Sequence, residues 1–346
     1  MDETAVIMCR NQLCGMKAEH YSESRTENEV SVRYEGKLEG RTELVKYSVL
    51  GCSRDKCDDY IKETEECLER SAKYTYAKLL GESNRIWEER WRDSDIRISG
   101  YRKLQDGLRF SIYHLLRCAQ KKEDRIQVCA KGFAGEAYYG RYFWDSEMYL
   151  LPFYLYTDPV SARSLTGYRY QTLDGARENS RRYYCRGARY PWQSGVTGTE
   201  QCSLWEYADN EIHITADVAF GIVHYIRSSG DQRFLFDKGM EVLLETAAYW
   251  SDRIDRDERG MCHLLNVMGP DEYSPMTRDN GFTNYMVKYS LASTLEMLEF
   301  VKKKRPERYR ELLDITGISQ RDLEVFHEIA AALPVPYDEK RDLYLQ

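Results

Sequence analysis

The sequence predicts a mainly α-helical protein that begins with a short β-rich segment. From Asp58 onward, apolar residues recur at three- and four-residue spacing with charged residues on the opposite face, which is the pattern of amphipathic helices. Residues 30–34 and 42–49 instead show the alternation and β-branched runs that are typical of strands. The sequence shows no motif repeated at a short fixed period, which disfavours a solenoid.

In chain order, residues 1–57 are predicted to form the last strands of a β domain, because two or three strands need another face to pack on. Residues 58–95 follow as a helical linker, with one long helix over residues 61–79. The next helix begins near Leu104. Further helices are predicted at residues 145–157, 160–182, 213–228, 231–254, 284–303, 306–316 and 320–333. Long loops rich in Gly, Trp, Tyr and acids separate these helices, and we expect them to form the surface that carries the functional residues.

Composition and charge disfavour several classes of protein. The 346 residues are 42% hydrophobic and 31% charged, which is ordinary for a globular protein. A net charge of -7 gives no electrostatic support for a nucleic-acid or anionic-membrane partner. Aromatic residues make up 13% of the chain, which suits either a sugar-lined cleft or a tyrosine-rich core.

The cysteines and histidines show no metal-binding pattern. The ten Cys include no Cys-x-x-Cys pair, and the six His include no His-Glu-x-x-His spacing. Nothing resembles a signal peptide, and no run approaches the ~20 apolar residues of a membrane span. We therefore expect a reduced, cytoplasmic protein without a metal or organic cofactor.

The first of three notable loops, residues 131–147, has a composition suited to binding a sugar. Trp144 offers a stacking plane beside the hydrogen-bonding carboxylate of Asp145, and Tyr139 belongs to the same glycine-rich loop. The alternative is a buried Trp144 with Asp145 capping the helix that follows, and both interpretations can hold at once.

The second loop, residues 187–200, contains a proline and several glycines that disfavour a helix. Arg189, Trp192 and Glu200 therefore crowd one irregular segment. The alternative is a connecting loop with surface aromatics.

The third loop carries two adjacent acids, Asp271 and Glu272, between Gly269-Pro270 and Tyr273. A carboxyl group held against an aromatic ring has a raised pKa and can act as a general acid near neutral pH. The alternative is an ordinary acidic turn on a helical protein. Asn284 ends the motif that follows, Asn-x-x-Thr-Asn.

In this order the loops resemble glycoside hydrolase family 65, whose members include maltose, trehalose, kojibiose and nigerose phosphorylases and some α,α-trehalases. The resemblance depends on five motifs in family order over about residues 95–300. They are Gly-x-x-Tyr-x-Gly-x-x-Phe-Trp-Asp-x-Glu, Arg-Tyr-Pro-Trp-x-Ser-x-x-x-Gly-x-Glu, His-Ile-x-x-Asp-Val, Gly-Pro-Asp-Glu-Tyr and Asn-x-x-Thr-Asn.

The resemblance implies a partial (α/α)6 barrel, preceded by the last strands of a β-sandwich and a linker helix. Residues 96–346 would be the N-terminal half of the barrel, which is the catalytic domain. The implied reaction is inverting phosphorolysis of an α-glucosidic disaccharide, with inorganic phosphate as co-substrate and β-glucose 1-phosphate as product.

The resemblance also implies roles for individual residues. Glu272 would be the general acid, and Trp144 and Asp145 would hold the glucosyl unit, so we expect Glu272 and Asp145 to face one cavity. Residues expected to line or brace the pocket are Tyr139, Arg189, Trp192, Glu200, Asp271 and Asn284.

The family's Lys-Gln-Ala-Asp-Val motif and its phosphate-binding loop do not occur before Gln346, so we expect a fragment of a larger protein. Three functions stay open: a phosphorylase that forms a homodimer at full length, a trehalase-like hydrolase with a second carboxylate as base, and an inactive half-barrel that binds sugar. A helical interaction scaffold is the alternative outside these classes.

Overall fold

The computed structural model describes residues 4–38, 40–55, 57–118, 120–132 and 137–346. Residues 133–136 of the first loop, including the first glycine of its motif, lie outside the described residues. The chain divides into two compact units, Met1–Arg92 and Asp93–Gln346.

The first unit contains two antiparallel strand pairs, one complete helix and most of a second helix. Strand β1 (Ala5–Cys14) pairs with β4 (Glu43–Cys52), and β2 (His20–Arg25) pairs with β3 (Val30–Glu35). Helix α1 (Tyr60–Ser71) packs on β4 so closely that a Cβ at Gly51 would lie 1.9 Å from Oγ1 of Thr64. The alternation in the sequence predicted β3 and β4 but missed β1 and β2.

The single helix expected over residues 61–79 is wrong, because the structure has α1 and then a separate α2 (Tyr76–Ser94). The Thr75 hydroxyl accepts a hydrogen bond from the backbone N–H of Lys78 at 3.3 Å. A threonine that caps a new helix in this way competes with continuation of the previous one.

The second unit is helical, and its elements follow the predicted helices closely. Its helices are α3 (Arg102–Cys118), α4 (Leu151–Thr157), α5 (Pro159–Gln171), α6 (Leu173–Arg182), α7 (Trp205–Asn210), α8 (Ile214–Ser229), α9 (Gln232–Phe234), α10 (Met240–Arg253), α11 (Gly281–Lys304), α12 (Pro306–Thr316) and α13 (Gln320–Ala332). Single π-helical turns at Ser146–Leu150 and Leu235–Gly239 lead into α4 and α10, and a 3-10 turn spans Ala137–Gly140. The short strand pairs are β5 (Asp255–Arg256) with β6 (Cys262–His263) and β7 (Tyr337–Asp338) with β8 (Leu343–Tyr344).

The core of this unit lies between α8, α10 and α11. Helix α11 packs against α8, α10, α12 and α13, and Val218, Leu243 and Leu291 are fully buried. The mainly α prediction is therefore confirmed. The helix predicted over residues 160–182 is divided into α5 and α6 at Thr172, whose hydroxyl donates back to the carbonyl of Tyr168 at 2.9 Å.

Two chemical features of the chain follow directly from the structure. All ten cysteines carry free thiols. Within the described ranges, no helix combines the length and the apolar character that crossing a membrane requires.

Candidate active site

The three loops singled out in the sequence meet around one cavity of about 390 Å³. Trp144 and Asp145 come from the first loop, Trp192 from the second and Glu272 from the third. The other lining residues are Ala130, Lys131, Tyr138, Phe143, Gln193, Cys202, Leu204 and Tyr207. The volume lies in the range of small-molecule sites. Glu272 and Asp145 thus face one cavity, as expected.

The first two loops are joined through their backbones. Tyr142 and Ser194 exchange two hydrogen bonds, each 2.9 Å from N to O, as neighbouring strands do. One residue further on, the guanidinium of Arg169 donates to the carbonyl of Phe143 at 3.0 Å. These contacts fix the backbone immediately before Trp144 and Asp145.

The two tryptophans of the cavity pack against one buried histidine, His213. The ring centroid of His213 lies 4.7 Å from that of Trp144 and 5.4 Å from that of Trp192, and both contacts are T-shaped. Nδ1 of His213 lies 2.6 Å from Oδ2 of Asp217, which fixes the orientation of the imidazole ring. The histidine therefore helps to fix the orientation of both tryptophan rings, and Phe282 packs against the same imidazole ring.

The carboxyl group of Asp145 is available to a ligand. Its side chain makes no capping hydrogen bond to the π-helical turn that follows, so the capping alternative does not describe this residue. Burial raises the pKa of Asp145, and the nearby charge of Lys131 opposes that shift. A half-buried carboxyl beside an indole plane can bind the hydroxyls of a sugar whose ring stacks on Trp144.

Glu200 braces the second loop and is half-buried. Its carboxylate accepts hydrogen bonds from the backbone N–H groups of Trp192 (2.7 Å), Gln193 (3.0 Å), Gln201 (3.1 Å) and Cys202 (2.9 Å). Burial raises the pKa of Glu200, and these backbone donors counteract the rise. The side chain thus holds Trp192 in place through the main chain.

Arg189 braces the short helix α7 from within the protein. Its guanidinium donates to the carbonyls of Ala208 (2.6 Å) and Asp209 (3.0 Å), near the C-terminal end of that helix. The same guanidinium lies 3.7 Å from the ring centroid of Tyr183. The helix it supports is followed directly by the segment that contains His213.

The third loop is held beside α7 by backbone hydrogen bonds. Val267 and Thr277 pair across its base, at 3.1 and 2.8 Å, and the N–H of Met268 donates to the carbonyl of Asn210 at 2.9 Å. These contacts bring Glu272 to the cavity. The negative charge of Glu272 is the main factor that raises the pKa of Tyr207, which lines the same cavity.

The residues directly before and after Glu272 in the sequence do not line the cavity. Asp271 closes the turn by accepting from the N–H of Tyr273 (3.1 Å) and the hydroxyl of Ser274 (3.2 Å). The expectation that Tyr273 forms an aromatic wall beside the acid is wrong, because its side chain is 98% exposed. The tyrosine that lines the cavity with Glu272 is Tyr207.

Two further predicted residues lie away from the cavity lining. Tyr139 is 86% exposed, while Asn284 is buried and donates to the carbonyl of Pro334 at 2.7 Å and to Asp279 at 3.2 Å. The predicted roles of Tyr139, Arg189, Glu200, Asp271 and Asn284 in holding a sugar stay predictions, as do those of Trp144, Asp145, Trp192 and Glu272.

Sequence reasoning missed the buried acid Glu211, the tyrosine Tyr207 and the buried base Arg169. Glu211 carried a usable signal, since it stands two residues before His213, the first residue of the motif His-Ile-x-x-Asp-Val. Tyr207 and Arg169 carry no local signal. Their position becomes evident only when the loops are placed around the cavity.

A helical body whose loops gather tryptophans and carboxyl groups around one cavity is typical of a glycoside-processing enzyme. The chain belongs to glycosyl hydrolase family 65, because residues 109–346 match the central catalytic domain of that family.

Named relatives support this assignment. The chain is 32% identical over 344 residues to a kojibiose phosphorylase of Thermoanaerobacter brockii, with 96% of this chain and 43% of that relative covered. It is 31% identical over 330 residues to a maltose phosphorylase of Bacillus subtilis, covering 94% of this chain and 42% of the relative. The chain therefore spans less than half the length of these relatives.

A solved structure from the human microbiome, provisionally described as a kojibiose phosphorylase, superposes with a TM-score of 0.84 at 25% identity. The superposition covers 99% of this chain and 45% of that structure. It confirms the prediction of a partial helical barrel.

Proposed function

We propose that the cavity holds the glucosyl unit of an α-glucosidic disaccharide and that Glu272 protonates the departing glycosidic oxygen. Inorganic phosphate attacks the anomeric carbon from the opposite face. The bond from this carbon to the glycosidic oxygen breaks, its electron pair stays on the oxygen that receives the proton, and a new bond to a phosphate oxygen forms. Inversion at the anomeric carbon gives β-glucose 1-phosphate and a free sugar.

The observation that carries this proposal is the shared cavity, which is lined by Glu272 and by the Trp144–Asp145 pair. Stacking on Trp144 and hydrogen bonds to Asp145 would orient the sugar toward the acid. The names of the relatives, kojibiose and maltose phosphorylase, support phosphate as the nucleophile. A nucleophile that is already anionic needs no general base.

Trehalase-like hydrolysis is the second candidate, and it makes a different demand on the site. An inverting hydrolase requires a carboxylate base ~6.5–9.5 Å from the acid, across the sugar. Glu211 does not meet that demand, because it is buried and does not line the cavity that Glu272 faces. An inactive sugar-binding half-barrel is the third candidate.

The cytoplasmic location, the homodimer and the absence of nucleic-acid and membrane partners stay predictions.

One experiment separates these three functions. The 346-residue chain is incubated with kojibiose, nigerose, trehalose or maltose, with and without inorganic phosphate, and the products are measured. Phosphate-dependent release of β-glucose 1-phosphate supports the proposal. Glucose released at equal rates without phosphate overturns it in favour of hydrolysis. Binding of glucose, seen as a change in tryptophan fluorescence, without any product overturns it in favour of a sugar-binding half-barrel.

A matched pair of variants tests the acid. Glu272→Gln keeps the size of the side chain and removes its proton, so we expect product formation to be lost. Glu258→Gln changes an exposed glutamate in the turn between β5 and β6 and is expected to leave the rate unchanged. A Glu272→Gln variant with the rate of the unmodified chain would overturn the role of this residue.

A further inference from the structure

Three buried polar side chains are grouped beside the two tryptophans of the cavity. His213 and Asp217 are fully buried, and Glu211 is 1% exposed. His213 stands directly before α8 and Asp217 lies four residues later in its first turn, so the two side chains are neighbours on one face of the helix. The ring of His213 lies in T-shaped contact with Trp144 and Trp192. A tilt of the imidazole would therefore displace both tryptophans.

The two ring nitrogens of His213 differ in their surroundings. Nδ1 lies 2.6 Å from Oδ2 of Asp217. Burial raises the pKa of Asp217, and the neighbouring His213 and the charge of Arg169 oppose that shift and favour the carboxylate. A carboxylate only accepts hydrogen bonds, so Nδ1 carries the proton of this contact. In the described part of the chain, the buried Nε2 has no hydrogen-bond partner.

The polar atom that faces Nε2 is Oε2 of Glu211, at 4.0 Å. This distance is too long for a direct hydrogen bond, but two atoms 4.0 Å apart can both lie about 2.8 Å from one water molecule. Neither carboxyl oxygen of Glu211 receives a hydrogen bond from an N–H or O–H group of the described residues. Buried polar groups of this kind are the usual partners of an internal water.

Glu211 can supply the hydrogen for this bridge. A buried carboxylate without a donor is unstable, so the side chain keeps its proton. Burial is the main factor that raises the pKa of Glu211 to about 9, and the charge of Glu272 adds to the shift. A protonated carboxyl donates one hydrogen bond, and an unprotonated Nε2 accepts one. A water molecule between them accepts from the first and donates to the second.

We propose that Glu211 is a positioning residue for Trp144 and Trp192, and that it acts through a buried water molecule and the neutral imidazole of His213. An imidazole held at one nitrogen can still tilt about that contact, whereas one held by Asp217 at Nδ1 and by the water at Nε2 has a single orientation. The hydrogen bonds themselves do not depend on the function proposed above. Their effect on sugar binding does rest on that function.

The hydrogen bonds are tested by NMR of the 346-residue chain labelled with ¹⁵N in its histidine rings. Signals of His213 are assigned by replacing each of the other five histidines with Gln in turn, namely His20, His114, His224, His263 and His327. We expect His213 to carry its proton on Nδ1 and to have an unprotonated Nε2 at neutral pH. A protonated Nε2 overturns the proposal, because this atom could not accept from the water.

Two substitutions at position 211 test the donor. Glu211→Gln keeps an N–H donor of the same size, so the Nε2 signal of His213 should stay near its position in the unmodified chain. Glu211→Leu removes the donor and should shift the signal, whereas Glu258→Leu, at an exposed position, should not. An unshifted signal in Glu211→Leu, or an equal shift in Glu211→Gln, overturns the proposal. If Glu211→Leu fails to fold, the protonation of Nε2 in the unmodified chain and the Glu211→Gln signal decide.

Glucose binding, followed by tryptophan fluorescence, measures the effect on the cavity. We expect Glu211→Leu to bind glucose about fivefold more weakly than the unmodified chain, as the loss of one neutral hydrogen bond predicts. Glu211→Gln should restore the affinity, which a role in packing alone would not require. Equal affinities in Glu211→Leu and the unmodified chain overturn the positioning role. The NMR measurement needs neither sugar nor turnover, so a chain that binds no glucose would contradict the proposed function and leave the hydrogen bonds of His213 separately tested.

Discussion

The guanidinium of Arg169 donates to both carboxylate oxygens of Glu147, each at 2.7 Å, and both side chains are buried. Glu147 lies two residues after Asp145, and Arg169 also holds the carbonyl of the residue before Trp144. The pair therefore fixes the backbone segment from which the predicted sugar-binding residues project. Its loss should affect both stability and the cavity.

We expect Arg169→Met to lower the free energy of unfolding by about 3–5 kcal/mol, because it leaves the Glu147 carboxylate buried and unpaired. Arg182→Met breaks an exposed pair with Glu178 and should cost less than about 1 kcal/mol. Urea denaturation followed by circular dichroism measures both. The double variant Arg169→Met/Glu147→Leu should recover part of the loss, and equal costs for Arg169→Met and Arg182→Met would contradict this account.

Glu211 should make the folded chain less stable as pH rises. Burial raises the pKa of the Glu211 carboxyl to about 9 in the folded state. An unfolded glutamate instead releases its proton near the ordinary pKa of about 4. Between these values the folded state binds more protons than the unfolded state. The contribution of the group is fully present below about pH 4 and falls by on the order of 1 kcal/mol per pH unit as pH rises.

We therefore expect Glu211→Gln to become more stable relative to the unmodified chain as pH increases. Urea midpoints of both proteins at about pH 5, 7 and 9 measure the difference. The comparison between the two proteins cancels the contributions of the other titrating groups. Stability curves that run parallel over this range would contradict the assignment of a buried, protonated Glu211.

The helices could be predicted from the sequence because their signals are local. The helix predicted over residues 231–254 starts at Asp231, a residue type that favours helix N-termini, and its carboxyl accepts from the N–H of Phe234 at 2.9 Å. The helix predicted over residues 306–316 starts at Pro306, a residue that is tolerated in a first turn, and α12 begins there. The helix breaks at Thr75 and Thr172 were missed because apolar spacing continues through them, and only the side-chain hydrogen bonds show where each helix ends.

The motifs identified the three loops in the sequence, but they could not show which atoms the loop residues contact. Glu200 acts on four backbone N–H groups, and the sequence does not specify which main-chain atoms an acid will reach. The approach of the third loop to α7 depends on a hydrogen bond between Met268 and Asn210, which are far apart in the chain. Pairings of this kind follow from the packing of the helices.

Glu200 should control the rigidity of the second loop. Glu200→Ala removes the acceptor of four backbone N–H groups, and each buried donor left unpaired costs about 1–3 kcal/mol if water does not replace the carboxylate. We expect the amide hydrogens of Trp192, Gln193 and Cys202 to exchange faster with deuterium. Hydrogen–deuterium exchange with mass spectrometry measures this, with peptides of α11 as the internal reference. Unchanged protection across residues 192–202 would contradict the bracing role.

Gly269 should tolerate no side chain, because it lies against Asn280. A Cβ at this position would stand 2.3 Å from Nδ2 and 2.6 Å from Oδ1 of Asn280. Asn280 is fully buried, and its Oδ1 caps α11 by accepting from the N–H of Thr283 at 3.0 Å and from its hydroxyl at 3.1 Å. The asparagine therefore cannot move aside without releasing the first turn of the longest helix in the described part of the chain.

We expect Gly269→Ala to cost about 1–3 kcal/mol of unfolding free energy, as overpacked sites do. Gly107→Ala, in the middle of α3 and with no atom within 4 Å of the added Cβ, should instead be neutral or stabilise by about 0.5–1 kcal/mol. Urea denaturation compares the two substitutions, which add the same methyl group in opposite surroundings. Limited proteolysis should find the third loop cut faster in Gly269→Ala alone. If Gly269→Ala were as stable as Gly107→Ala, the close approach that positions Glu272 beside the cavity would not be required.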